Sequence, residues 1–206
     1  MRLLAFDTCL DKTYVTLFND SKYINRVILS DAQNYHSAYL MSTIVELLKE
    51  EKLTPLDIDC IATDIGPGSF TGIRACVTVA RMLAQQLGKK VVGVSSLEIL
   101  SKILGGDHLV ALDARKNKAY LFDGEIKGAI ELEEVDAIVA GKELITDNSL
   151  YERFAQCALK VTSYQHDEFP LGEILARIAL EKLQSGSDFN WQDLKPLYIQ
   201  PPPVFK

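Results

Sequence analysis

Cysteine is sparse in this 206-residue chain, and the four present, Cys9, Cys60, Cys76 and Cys157, never stand as Cys-x-x-Cys. Neither a zinc knuckle nor a redox pair is signalled, so buried inert thiols in a reducing compartment are expected. Histidine is scarcer still. His36, His108 and His166 share no metal-binding spacing and His-Glu-x-x-His is absent, which leaves a metallohydrolase poorly supported. No apolar run approaches the roughly 20 residues that span a bilayer. The greasiest window, Ile73 to Leu87, is interrupted by Arg74, Thr78, Arg81, Gln85 and Gln86. Basic charge is in deficit, with 22 Lys and Arg against 28 Asp and Glu and a net charge of −6. Nonspecific affinity for nucleic acid comes largely from Lys and Arg displacing counterions, so this chain alone is expected to bind RNA poorly. A signal peptide is not expected either, because Asp7 falls where a secretory segment would still be apolar. A cytoplasmic protein without membrane contact is the expectation.

What is there reads as α/β. Leu3–Phe6, Tyr14–Phe18 and Tyr23–Leu29 are strands close enough for an antiparallel meander. A helix over Tyr35–Glu51 follows, with Leu40, Met41, Ile44, Leu47 and Leu48 at helical spacing. After a break at Thr54-Pro55 come a strand (Ile58–Ile65), a tight loop (Gly66–Phe70), a helix (Thr71–Leu87) closed by Gly88, and a strand (Val91–Val94). Ser95-Ser96-Leu97-Glu98 has the form of a capping box that opens a third helix. The second half repeats the order more loosely, with a hairpin turn at Asp123-Gly124 and a helix over Pro170–Gln184 opened by proline. Pro201-Pro202-Pro203 ends helical structure in the tail. Two successive β-β-β-α-β-α units, each opened by an apolar strand that ends in Asp, predict a duplicated α/β chain, divided as residues 1–98 and 99–206.

The outstanding local feature is Gly66-Pro67-Gly68-Ser69-Phe70-Thr71-Gly72-Ile73-Arg74. Glycines there permit a tight turn, Ser69 or Thr71 can cap the following helix, and free amides at a helix start favour an anion. An anion or nucleotide contact through Gly68, Ser69 and Thr71 is one reading; a well-capped turn that packs two elements together is the other. No lysine follows, so the loop is not a Walker motif. Asp7 and Asp113 close apolar strands, where a carboxylate can hold hydrated magnesium at a ligand crevice or simply cap local amides. Asp113-Ala114-Arg115-Lys116 favours a solvated hairpin. The helix Thr71–Leu87 is apolar nearly all round and must be covered on more than one side, by this chain or by a partner's helices.

Leu-Ala-Phe-Asp-Thr at 4–8, His36-Ser37, Asp64 through Arg74, Gly93 through Glu98, Asp113 through Lys116 with Tyr120, and Pro196-Leu-Tyr198 together resemble the bacterial TsaB family. The resemblance implies an actin-like fold of the sugar kinase, Hsp70 and RNase H type. It implies a role in making N6-threonylcarbamoyladenosine (t6A) at adenosine 37 of tRNAs that read codons beginning with adenosine. In that family the paralogous TsaD binds metal and transfers the threonylcarbamoyl group, and the ATPase TsaE joins them. The TsaB subunit is a noncatalytic scaffold and activator, a homodimer when alone, and meets tRNA only through the complex. The unpaired His36 agrees with a noncatalytic chain. The partner surface implied by the family falls on Tyr39, Leu40 and Thr43 of one helix and Arg74, Val77 and Arg81 of the next. No cofactor is expected of the chain itself; ATP or ADP with magnesium at the subunit junction is the exception left open. The competing reading is a small ATPase or phosphotransferase that uses Asp7 and the Gly66–Gly72 loop.

Overall fold

The computed structural model describes residues 1–29, 36–186 and 189–200; the side chains of His36 and Ser37 and the proline run 201–203 lie outside them. The chain divides into two compact units, one formed by Met1–Ser96 with Leu171–Leu197, the other built on Leu97–Pro170. Among the described residues no helix is long and apolar enough to cross a membrane.

The first unit carries β1 (Arg2–Asp7), β2 (Lys12–Asn19), β3 (Lys22–Leu29), α1 (Leu40–Glu50), β4 (Cys60–Asp64), α2 (Phe70–Leu87) and β5 (Lys90–Val94). The sheet order is β3-β2-β1-β4-β5. β1 pairs antiparallel with β2 and parallel with β4, so Phe6 faces Val15 on one side and Thr63 on the other. Leu3, Leu4, Ala5 and Phe6 are all buried. Successive residues of a strand face opposite ways, so an unbroken apolar strand must be covered on both faces. Leu4, Phe6, Val15 and Leu17 share one core with Leu40, Ile44, Leu47 and Leu48 of α1 and Ile73, Cys76, Val77 and Ala80 of α2. The opposite face is closed by α6 (Leu171–Gln184). A Cβ on Gly172 of that helix would overlap Thr16 Oγ1.

The second unit repeats the plan with β6 (Leu109–Arg115), β7 (Lys118–Phe122), β8 (Ile126–Glu131), α4 (Leu132–Val139), β9 (Glu143–Thr146), α5 (Asn148–Phe154) and β10 (Lys160–Ser163), after the short α3 (Ser96–Ser101). Its sheet order, β10-β9-β6-β7-β8, is the first sheet's order read from the other edge. The duplication read from element order is therefore a duplication of topology: β6 takes the place of β1, and β9 that of β4. Leu121, Val135, Val139, Leu144 and Phe154 form its core. The expected hairpin turn is present, with Gly124 at φ 73°.

Three departures from the sequence reading have physical causes. The helix after Pro170, grouped with residues 99–206, packs on the first sheet, because β1 would otherwise expose one apolar face. The break at Thr54 is a single 3-10 turn, Pro55–Asp57, held by a reciprocal Thr54–Asp57 capping box. The helix expected from Tyr35 opens as a 3-10 turn over His36–Tyr39, and the α-helix begins at Leu40.

Candidate functional site

β1 and β4 run parallel and end side by side at Asp7 and Asp64. The loop after β4 folds back over the end of β1 before α2 begins. Ser69 caps α2, its Oγ accepting from the Gly72 amide, and the same residue's amide donates to Cys9 O at 2.7 Å. A Cβ on Gly68 would overlap Cys9 O, and one on Gly72 would overlap Thr8 O. The glycines are thus required by direct contact between the loop and the Thr8–Cys9 backbone.

The loop's own amides are partly engaged within the chain. The amides of Gly66, Ser69, Gly72 and Ile73 donate to Asp64 Oδ1, Cys9 O, Ser69 Oγ and Ser69 O. Asp7 is only 2% exposed, and its Oδ1 accepts from the Cys9 amide at 2.6 Å. Gly68 and Ser69 sit in a capped turn packed on the Cys9 backbone, and Thr71 lies exposed in the first turn of α2.

The strand ends enclose a sealed polar cluster instead. Asp64 accepts from Ser96 Oγ at 2.9 and 2.7 Å. Cys76 Sγ, in the second turn of α2, accepts from the Thr8 amide at 3.1 Å and lies 3.2 Å from Thr8 Oγ1. Thr8 Oγ1 also donates to Gly72 O. Asp7, Cys9 and Cys76 place one ligating atom each within 4.8 Å of one another, all buried. Asp7 Oδ2 has no hydrogen-bond partner. Burial, reinforced by the charge of Cys76, pushes the Asp7 carboxyl up to about 8. Burial and then Asp7 push Asp64 upward too. Burial alone would raise Cys76, but hydrogen bonds from Cys9, Thr8 and Thr63 outweigh it and leave that thiol shifted downward. Cys9 moves upward, through burial and its thiol neighbour.

The sequence predicts four scattered, inert thiols. Cys60 is buried and fits that description, but Cys9 and Cys76 converge. The two are far apart in the chain, and only the packing of α2 on the end of β1 brings them together. Asp113 in the second unit is a local turn residue, within the hairpin that Asp113–Lys116 predicts. Its Oδ1 accepts from the Arg115 amide and its Oδ2 pairs with the Arg115 guanidinium at 3.0 Å. Arg115, Lys116 and Asn117 all take positive φ there.

The expected partner surface separates into two sets. Leu40, Thr43 and Val77 are covered by the chain's own core, at 1%, 8% and 4% exposure. Tyr39 and Arg74 are exposed and Arg81 is half-buried. Arg74 stacks over Phe70, and Arg81 over Trp191. The apolar surface left bare lies one step round each helix, at Met41 and Val45 of α1 and Met82 of α2. Between α1 and α2 an apolar cavity of about 390 Å³ reaches from Met41, Val45, Leu83 and Leu87 down to Leu4 and Ile61 of the sheet.

Two five-stranded sheets of the same order, the first closed over a buried Asp-Thr strand end, define a two-lobed actin-like protein. The solved structure of YeaZ from Pseudomonas aeruginosa has this fold, with a TM-score of 0.77, 25% identity, and coverage of 96% of this chain and 99% of that one. Residues 24–172 match the family described as TsaD, tRNA N6-adenosine threonylcarbamoyltransferase. TsaB of Bacillus subtilis is 34% identical over 125 residues, which is 58% of this chain and 53% of that protein. TsaB of Escherichia coli is 28% identical over 146 residues, 68% of this chain and 62% of that protein. The chain belongs to this family, within the group that bears the TsaB and YeaZ names. It spans about half the length of the first curated relatives it matches.

Proposed function

We propose that this chain is a noncatalytic subunit of t6A biosynthesis, acting in the cytoplasm, that docks on the catalytic TsaD subunit and activates it. Threonylcarbamoyl transfer to adenosine 37 of tRNA then takes place on TsaD, with TsaE as the accompanying ATPase and tRNA met through the complex. The observation that carries this reading is the apolar strip along α1 and α2. Met41 and Val45, 37% and 57% exposed, line the cavity between the two helices, and Met82, 45% exposed, is next in sequence to Leu83, which lines it from α2. Large apolar side chains in line along two adjacent helices are suited to receive another helix pair, and full burial of each stabilises a complex by about 1.5–3 kcal/mol. Leu40, Thr43 and Val77 lie beneath that strip, where they fix the spacing of the helices. Tyr39, Arg74 and Arg81 form its polar margin. In the absence of TsaD, a second copy of this chain covers the same strip.

The sealed Asp7 cluster supports a chain that does no phosphoryl chemistry of its own. No step is assigned to a nucleotide there, because the loop amides named above are engaged within the chain.

The test is co-purification with TsaD, followed by mass analysis of tRNA nucleosides in a depleted strain complemented by variants. Val45→Asp and Met82→Glu replace exposed side chains, so the fold is retained while the strip gains charge. Both together are expected to abolish co-purification and t6A. Retention of both the complex and the modified nucleoside by the double variant would overturn the reading.

A further inference from the structure

We propose that Asp7, Cys9 and Cys76 form a binding site for one thiophilic divalent cation, of which zinc is the type, enclosed in the first unit. The donors are one carboxylate and two sulfurs, each buried and all mutually within 4.8 Å. A tetrahedral zinc with bonds of about 2.0 Å to oxygen and 2.3 Å to sulfur needs donors roughly 3.3–3.8 Å apart. From separations of up to 4.8 Å, the three side chains reach that spacing by closing each pair by at most about 1.5 Å. Asp7 is 2% exposed and its Oδ2 is without a hydrogen-bond partner, whereas its Oδ1 is held by the Cys9 amide. One carboxylate oxygen is thus oriented by the backbone, whereas the other meets no donor and lies beside the Asp64 carboxylate, although buried polar oxygens are otherwise almost always bonded. A cation ligated there supplies the missing partner.

The surroundings supply the outer support that metal ligands require. Thr8 holds Cys76 Sγ through its amide, and Thr8 Oγ1 is itself tied to Gly72 O. Cys9 Sγ points to Asp64 O at 3.6 Å, and Asp64 is anchored by Ser96 and the Gly66 amide. Two sulfurs with one carboxylate suit zinc or cobalt and reject magnesium, which requires an octahedron of oxygens and keeps its water. A buried dication also offsets the charge of two adjacent carboxylates enclosed together. Loading releases to solvent whatever protons the two thiols and the Asp7 carboxyl carry. The cluster is sealed, so the ion enters as the first unit folds, or on its transient opening.

The probe is Co²⁺ alone, supplied at one equivalent during refolding of the full chain, followed by desalting. The expected result is one Co²⁺ per chain, with thiolate-to-cobalt charge-transfer absorption. Zn²⁺ displaces it and excess Mg²⁺ does not. Cys9→Ser and Cys76→Ser each weaken retention by more than about tenfold, whereas Cys157→Ser leaves it unchanged. Should a cysteine variant fail to fold, Asp7→Asn provides the same comparison without altering a sulfur. Folded wild-type protein that retains no cobalt, equal retention by the Cys9→Ser/Cys76→Ser double variant, or a Cys9–Cys76 disulfide in the protein as isolated would each overturn the assignment.

Discussion

Replacing Asp7 by Asn should stabilise the first unit of the chain, and do so increasingly as pH rises. Burial, with Cys76 beside it, pushes the Asp7 carboxyl from an ordinary 3.8 to about 8. Between those values the folded chain holds a proton that the unfolded chain has released, so stability falls as pH rises, at about 1.4 kcal/mol per pH unit. The penalty is absent below pH 4, grows through neutrality, and levels off above about pH 8. From pH 5 to pH 8 the single group therefore costs about 3–4 kcal/mol. Asn is nearly isosteric, keeps an oxygen for the Cys9 amide and has no ionisation to suppress. It also lifts the repulsion that helps raise Asp64. The variant is expected to be more stable than wild type by about 2–4 kcal/mol at pH 8, with a difference that shrinks towards pH 5. Trp191, the chain's one tryptophan, packs at the edge of the first unit's core, so its fluorescence reports that unit's unfolding. Urea titrations at several pH values, with chelator present to keep the cluster free of metal, measure the difference directly. Exposed carboxylates contribute equally to both proteins and cancel. A wild-type-minus-variant difference that does not change between pH 5 and pH 8 would refute the reasoning.

Further outcomes follow from other parts of the molecule. Gly72→Ala places a methyl group against Thr8 O, where neither backbone can give way, and is expected to leave the first unit largely unfolded by circular dichroism; a soluble variant with an unchanged melting temperature would contradict that packing. Phe154→Ala empties the centre of the second core, where Phe154 is fully buried, and should cost about 3–5 kcal/mol in chemical denaturation while the Trp191 transition stays in place. Arg153→Ala removes a two-point contact with Asp136, at 3.0 and 2.6 Å, but both side chains are about one-third exposed. Solvent screening limits that loss to about 1 kcal/mol or less, read as a small shift in the second unit's unfolding midpoint. Calorimetric titration of the isolated chain with ATP and magnesium is expected to show no micromolar binding; such binding, if abolished by Asp7→Ala, would restore the phosphotransferase reading.

Local pattern carried a large share of this protein. The strands from Leu3, Tyr14 and Tyr23, the helix stripe through Ile44, Leu47 and Leu48, the Ser69 cap, the left-handed Gly88 and the Asp123-Gly124 turn are all set by neighbours within a few residues. Element order was therefore legible, and with it the duplicated topology and the family. What lay beyond reach depended on which distant face covers which. Periodicity shows that α2 is apolar nearly all round, but only the packing shows that Val77 faces the core and Met82 the solvent. The apolar character of β1 calls for two covering layers, yet nothing local says that α6, more than 160 residues later, is one of them. Cys9 and Cys76 look unrelated in the sequence, because spacing rules detect ligands on one turn or one hairpin. Here the site joins a strand end to a helix interior, and its existence was decided only when the loop at Gly68 and Gly72 closed onto the backbone of Thr8 and Cys9.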